Sequence, residues 1–377
     1  MKSSLVLQRF ILVLFLVLIT VPGIQGVTKI LNVRSLFGVI PPKQKVELSL
    51  MSWMDGLYQP YMIEMAKDNI GFRPYLVRLS NQINYSIFDH LTSIYVVRGK
   101  QDYLYELAYV ENAMGKHLMH ADTLKTIARR LSLINEYLKS RSKQMIVIIA
   151  PNKARFYPEY LPDESVSFPE VSNYSNVKTY FEGESLPVLD CIEIFEKEKA
   201  NAKYPLIGKC GSHWSMYGSS VIADTLMSRL QSQSDQLIKT FRIGEIETSD
   251  VTRATDGDLN GLANLMFDIP SGTLAYPKLE PKEGGKKLRV LAVGDSYYLS
   301  FMHNGLVETC FTPNSLMLYY FSTVYEGCEV SDKKLSDIDF NALLEDVDVV
   351  LLCSAEPNTD IAYYEFTKRF EQLILHK

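Results

Sequence analysis

The sequence predicts an α/β protein built on a doubly wound, mostly parallel sheet. Three stretches, Gln144–Ala150 (QMIVIIA), Leu288–Val293 (LRVLAV) and Val347–Cys353 (VDVVLLC), are near-continuous apolar runs. Strands covered by helices on both faces read in this way. Strand–loop–helix units recur from Gln144 onward, which implies a doubly wound sheet. A chain of 377 residues, 47% hydrophobic and 22% charged, has ample material for such a core.

The N-terminus is of another kind. Lys2 and Arg9 precede the apolar run Phe10–Val21 (FILVLFLVLITV), the pattern of an export signal. The run is short for a relaxed span, which needs roughly 17–25 residues, and Ile24 with Gly26 makes a mediocre cleavage site. Residues 1–26 therefore read as a membrane anchor or a cleaved signal. In either case the remainder is expected to be exported, on the non-cytoplasmic side. Residues 27–93 read as a lead-in: an extended connector over Val27–Val46 with Pro41 and Pro42, then helical pieces over Ser52–Arg78 and Asn81–Leu91.

From residue 94 to 377 the pattern is that of one enlarged domain. Ile94–Tyr105 (IYVVRGKQDYLY) reads as two short strands around a turn at Gly99–Asp102. Leu124, Ile127, Leu131, Ile134 and Leu138 recur at three and four, the core stripe of a helix that Asp122 can cap. His117 and His120, three apart just before it, have no third ligand nearby and read as surface histidines. The strand Gln144–Ala150 runs into Pro151-Asn152-Lys153, where either turn chemistry or a site explains Asn152. Leu186–Leu189 is a further short strand with Asp190 at its end, and Ser215 or Gly218 opens a helix carrying Ile222, Leu226 and Leu230. Thr252–Phe267 reads as a loop and short helix, Ser315–Phe321 as a strand, and Tyr363–Leu375 as a closing helix.

Charge and cysteine usage exclude some classes. A net charge of -5 without a basic block argues against nucleic acid. Cys191, Cys210, Cys310, Cys328 and Cys353 form no CxxC pair, so no zinc site is expected. Cys310 and Cys328 bracket a strand and can be bridged if the compartment is oxidising.

Chemistry concentrates in two stretches. The run Leu288–Val293 ends in Gly294-Asp295-Ser296 before a helical pattern starting near Tyr297. Open α/β sheets gather their chemistry at the carboxyl ends of strands. Gly294 permits a tight turn there, and Ser296 is either a nucleophile, whose own N–H helps bind an oxyanion, or the cap of the helix. The second stretch, Lys209–Gly218 (KCGSHWSMYG), supplies His213 as a base.

Taken together, Ser212-His213-Trp214-Ser215 followed by Gly294-Asp295-Ser296 behind an exported N-terminus resembles the SGNH-hydrolase-like domain of the alginate O-acetyltransferases, AlgJ/AlgX type. That family places its histidine block before the GDS serine, and the stretches Gly99–Tyr105 and Pro151–Pro162 also look familial. The resemblance implies Ser296 and His213 as catalytic residues, with Asn358, Asn152, Asp295 and Trp214 as candidates for oxyanion or substrate contacts. Asn358 is singled out because it follows the strand Val347–Cys353, which would be third in the permuted order. One position departs from the pattern: the family's D-x-H-W carries Asp where this chain has Gly211. Asp190 is the nearest end-of-strand acid that can take its place. The implied activity is transfer of acetyl to hydroxyls of an exported polysaccharide through an acetyl-serine, with no cofactor or metal. The implied partners are the polysaccharide, a membrane-bound O-acyltransferase supplying the acetyl donor, and the inner membrane through the N-terminus. A carbohydrate esterase and a catalytically silent polysaccharide-binding subunit are the alternatives, the last favoured by Gly211.

Overall fold

The computed structural model describes residues 2–38, 44–162 and 168–375. Pro41 and Pro42, assigned above to the connector, lie outside them. The chain divides into two compact units, Met1–Ile94 with Asn260–Asp268, and Tyr95–Leu259 with Ile269–Lys377.

Among its described residues the first unit includes the helices α1 (Lys2–Thr28), α2 (Leu50–Met54), α3 (Tyr58–Asp68) and α4 (Arg73–Phe88). The apolar helix is thus longer than the run Phe10–Val21 suggests, because Pro22 is accommodated inside it and the helix continues to Thr28. The two helical pieces expected around Arg78 and Asn81 are one helix, α4, started by Pro74 near its N-terminus, where a missing N–H costs nothing.

Among its described residues the second unit contains eleven strands: β1 (Val96–Arg98), β2 (Leu104–Glu106), β3 (Gln144–Ala150), β4 (Val188–Asp190), β5 (Phe241–Ser249), β6 (Leu274–Pro281), β7 (Val290–Gly294), β8 (Leu316–Tyr319), β9 (Thr323–Glu326), β10 (Glu329–Val330) and β11 (Val349–Ala355). Seven form the central sheet in the order β10-β9-β8-β7-β11-β3-β4. The five from β8 to β4 run parallel, and β9 and β10 add an antiparallel edge. β1 and β2 pair around the turn at Gly99, and β5 and β6 form a separate two-stranded ribbon.

The period of two sorts each strand between two cores. Ile146, Ile148, Val290, Ala292, Leu351 and Cys353 face a cluster with Ile222, Leu226 and Leu230 of the helix Met216–Ser232. Met145, Val147, Ile149, Leu291, Val293, Val350 and Leu352 face the other side. There they meet Leu124, Ile127 and Leu131 of the helix Ala121–Lys139, and Phe366 and Phe370 of Thr359–Leu375. Helices cover both faces of a parallel-rich sheet, so the fold class read from the sequence holds. All five cysteines are free, with Cys310 buried and Cys328 exposed. The bridge between them that an oxidising compartment would allow is not formed.

Candidate active site

Ser296 stands at the carboxyl end of β7, at the head of a tight turn, Ser296–Tyr298, that leads into the helix Leu299–His303. Asp295, not Ser296, caps this turn: its Oδ1 accepts from the Tyr297 N–H at 3.0 Å. The serine hydroxyl is therefore released from capping. As the first residue of the turn, Ser296 also presents an N–H with no acceptor inside the turn. Gly294 acts by close approach. A Cβ there would stand 1.8 Å from the Cys353 carbonyl on the neighbouring strand, so only glycine lets β7 and β11 converge at this point. Its φ is not positive, contrary to the tight-turn role read from the sequence.

His213 comes from the segment before the helix Met216–Ser232, whose N-cap is Ser215. Lys153, fully buried after β3, clamps that segment. Its ammonium donates to the carbonyls of Gly208, Lys209 and Gly211 at 2.7, 2.7 and 2.8 Å. Burial pushes the Lys153 pKa down to about 7. The His213 Nε2 lies 2.7 Å from Ser296 Oγ, and its Nδ1 lies 2.6 Å from Asp258 Oδ2. A carboxylate can only accept, so Nδ1 carries the proton and Nε2 is left to accept from the serine O–H. Burial alone would push the imidazole below its ordinary range, but the Asp258 hydrogen bond and charge outweigh it and hold the pKa above.

Asp258 is the residue that the sequence reading missed. It opens a short helix, Asp258–Ala263, after the turn Ala254–Gly257, within the loop-and-helix stretch expected there. Its second oxygen accepts from the Ser212 N–H at 2.8 Å, so one carboxylate fixes two consecutive residues of the histidine segment. Gly211 makes room for this. A Cβ at that position would lie 3.0 Å from the Asp256 carbonyl and 3.1 Å from that of Thr255. The acid absent from position 211 is thus supplied by a loop that closes over the glycine. Glu106, at the end of β2, adds a second carboxylate, accepting from Ser212 Oγ at 3.0 Å. Burial raises its pKa, with the Ser212 hydrogen bond opposing.

The remaining residues singled out from the sequence lie elsewhere in function. Asp190 caps the helix Cys191–Glu198 and accepts from the Tyr174 hydroxyl at 2.7 Å, which places it outside the Ser–His pair as an orienting acid. It ends strand β4, which β11 and β3 separate from β7, and its oxygens serve backbone donors locally. Trp214 is fully buried, edge-on to Tyr297 at 5.2 Å and packed on Phe301, so it braces the histidine segment from below and offers a ligand no surface. Asn152 is fully buried, capping Lys153–Phe156 while donating to the Tyr109 carbonyl and to Glu356. Asn358 lies next to the site, but its amide donates to Asp295 Oδ2 at 2.8 Å and to the Tyr109 hydroxyl at 3.2 Å, which uses both of its protons. Asp295 also accepts from the Ala355 N–H. It is a fully buried tie between the serine turn and the end of β11, its pKa raised by burial.

Residues 96–275 match the family model described as ALGX, the SGNH hydrolase-like domain of acetyltransferase AlgX. The matched span includes His213 and Asp258 and ends before Ser296. Among solved structures, the O-acetyltransferase domain of Pseudomonas putida AlgJ is similar at 18% identity, over 75% of this chain and 99% of that one, with a TM-score of 0.47. Bacillus cereus PatB1 with a sulfonyl adduct is similar at 11% identity, over 72% and 98%, with a TM-score of 0.46. Pseudomonas aeruginosa AlgX is similar at 14% identity, over 72% and 59%, with a TM-score of 0.41. A comparison with curated proteins gives no match.

Proposed function

The chain carries an SGNH hydrolase-like domain of the AlgJ/AlgX type, and on that premise we propose that it is an O-acetyltransferase acting on an exported polysaccharide. The observation that carries this reading is the continuous line of contacts from Asp258 through His213 to Ser296. Ser296 Oγ attacks the carbonyl carbon of an acetyl donor as His213 Nε2 takes its proton. Asp258 holds the imidazole in the tautomer that can accept it and stabilises the imidazolium that forms. The Ser296 N–H, at the head of its turn, faces the developing oxyanion. The imidazolium then returns its proton to the leaving group, and an acetyl-serine remains. A sugar hydroxyl attacks this ester with His213 again as base, and the acetyl group passes to the glycan.

Gly211 favoured a silent subunit only while the histidine lacked an acid, and Asp258 supplies one. Among the described residues one helix is long and apolar enough to cross a membrane, too few to carry acetyl across by themselves. A membrane-bound O-acyltransferase is the partner this reading requires, with the second unit on the non-cytoplasmic face. Incubation with an activated acetyl ester should add one acetyl mass to the peptide containing Ser296, and Ser296→Ala should abolish the addition. Transfer to an added polysaccharide faster than release to water separates transferase from esterase. Failure of the parent protein to acylate at all sinks both and returns the silent-subunit reading.

A further inference from the structure

The first unit turns its apolar side outward. On α4, Leu76, Leu79, Ile83 and Ile87 follow one another at spacings of three, four and four, and all are exposed, flanked by Tyr75 and Phe88. The opposite side of the same helix carries the polar contacts. Arg78 is buried and donates to the carbonyls of Arg34 and Ser35 at 2.8 and 2.6 Å. Asn81 donates to the carbonyls of Ala263 and Asn264, and Gln82 accepts from the Phe267 N–H. A helix of a water-soluble body shows the reverse arrangement, apolar stripe in and polar face out. Leu50, Met51, Trp53 and Met54 on α2 and Met62 and Ile63 on α3 are exposed as well. Apolar area of this extent marks an interaction surface.

What the surface meets follows from its attachment to α1. The stretch Leu5–Thr28 has a mean hydropathy of 2.5 over its best window. At ~1.5 Å per residue its 24 residues reach roughly 36 Å, against a hydrocarbon core of about 30 Å. The corner between α3 and α4 is locked onto the last two turns of this helix. The Gly71 N–H donates to the Pro22 carbonyl at 3.0 Å. A Cβ on Gly26 would stand 2.0 Å from the Asn69 carbonyl, and one on Gly71 would stand 2.5 Å from that of Pro22. The two backbones touch through a pair of glycines, and Gln25 is buried beside them. α4 starts two residues past this joint, and Pro22 lies six residues, about 9 Å along the helix, before the last residue of α1.

We infer that α1 is a retained anchor and that α2 and the outward stripe of α4 lie in the headgroup–acyl boundary of the leaflet at its C-terminal end. Removal of α1 at Gly26 would cut away one side of the glycine joint, so the helix serves the folded unit as a structural member. The stripe then buries in the interface as an amphipathic helix does, with Trp53 suited to that depth. A lipid surface is the occupant that needs only the bilayer α1 already crosses. This inference is independent of the acyl-serine chemistry.

The test uses the full chain reconstituted in phosphatidylethanolamine–phosphatidylglycerol vesicles. Cys328, the exposed thiol, is first changed to Ser, and single cysteines are placed by Leu79→Cys, Ile83→Cys and, as a reference in the second unit, Asp332→Cys. All three positions are exposed, so the fold tolerates a fluorescent label. The labels at 79 and 83 should be quenched by a shallow nitroxide lipid and be several-fold less accessible to aqueous iodide than the label at 332. Equal iodide quenching at all three sites overturns the seat. Shielding that develops only on adding a second membrane protein also overturns it, in favour of a protein face. The intact mass of the membrane-extracted chain should retain the residues through Thr28, and a chain beginning after Gly26 refutes the anchor.

Discussion

Asp258→Asn isolates the acid that the loop supplies. The amide keeps an oxygen for the Ser212 N–H but offers His213 Nδ1 a donor or a weaker acceptor, so the imidazole is no longer held with its Nε2 lone pair toward Ser296. In serine proteases the equivalent change costs on the order of 10⁴ in kcat. Here the His213 and Asp258 side chains are 13% and 20% exposed, and water can replace part of the lost interaction. A fall of roughly 10²–10³ in the acylation rate is therefore expected, or about 3–4 kcal/mol of barrier. The pH profile carries a second signature. His213 must be neutral to accept the serine proton, so acylation rises with pH through a pKa held above the ordinary value of 6.5. Without the charge of Asp258 burial remains, and the acid limb should move to lower pH. The sign for stability is opposite. A raised histidine pKa stabilises the folded state below the ordinary value, and that contribution is lost as pH rises through the folded pKa. Asp258→Asn should then lower the unfolding midpoint at acid pH and leave it nearly unchanged in the alkaline range. The assay is stopped-flow acylation by an activated acetyl ester between pH 5 and 9, with acetyl-serine counted by intact mass. A variant that acylates at the parent rate with an unchanged acid limb would falsify the assignment of Asp258, whereas Asp190→Asn should alter stability alone.

Three other outcomes follow from the same geometry. Gly211→Asp restores the acid of the familial pattern, but its Cβ would crowd the carbonyls of Asp256 and Thr255 at 3.0 and 3.1 Å. Denaturant melts should show a loss of roughly 1–3 kcal/mol with slower acylation, and faster acylation at unchanged stability would contradict the loop-closure account. Lys153→Met strips three carbonyls of their donor, which should cost about 3 kcal/mol or more and slow acylation by loosening the histidine segment. The exposed Lys139→Met is the control, and equal effects from the two would refute the clamp. Glu356 is fully buried, with one oxygen accepting from Asn152 and the other unpartnered, and burial pushes its carboxyl up to about 7. The folded state thus resists an ionisation that the unfolded chain undergoes freely, and stability declines from the ordinary carboxyl range up to about pH 7. Glu356→Gln should add roughly 1–3 kcal/mol at pH 8 and little at pH 4, and the reverse ordering in melts at the two values would refute it.

Much of the scaffold was legible because its signals are local. The runs that became β3, β7 and β11 could be read because a strand buried on both faces must be apolar at successive positions, whatever its partners. Ser296 and His213 were legible as candidates for a similar reason. Each sits in a short stretch whose strand end or helix start is written in adjacent residues, and the fold then sets them 2.7 Å apart. Asp258 was not, and neither was the demotion of Asp190, Trp214 and Asn358. An acid that follows His213 by 45 positions reaches its Nδ1 only because Gly211 leaves space for the Thr255–Asp258 turn and Lys153 holds the facing loop. Asn358 appeared available in sequence, but its amide is consumed by Asp295 and Tyr109. Backbone periodicity depends on neighbours along the chain and can be read from them. Which carboxylate meets which imidazole depends on the clearance between loops distant in sequence, and a missing Cβ decides that only once the chain has folded.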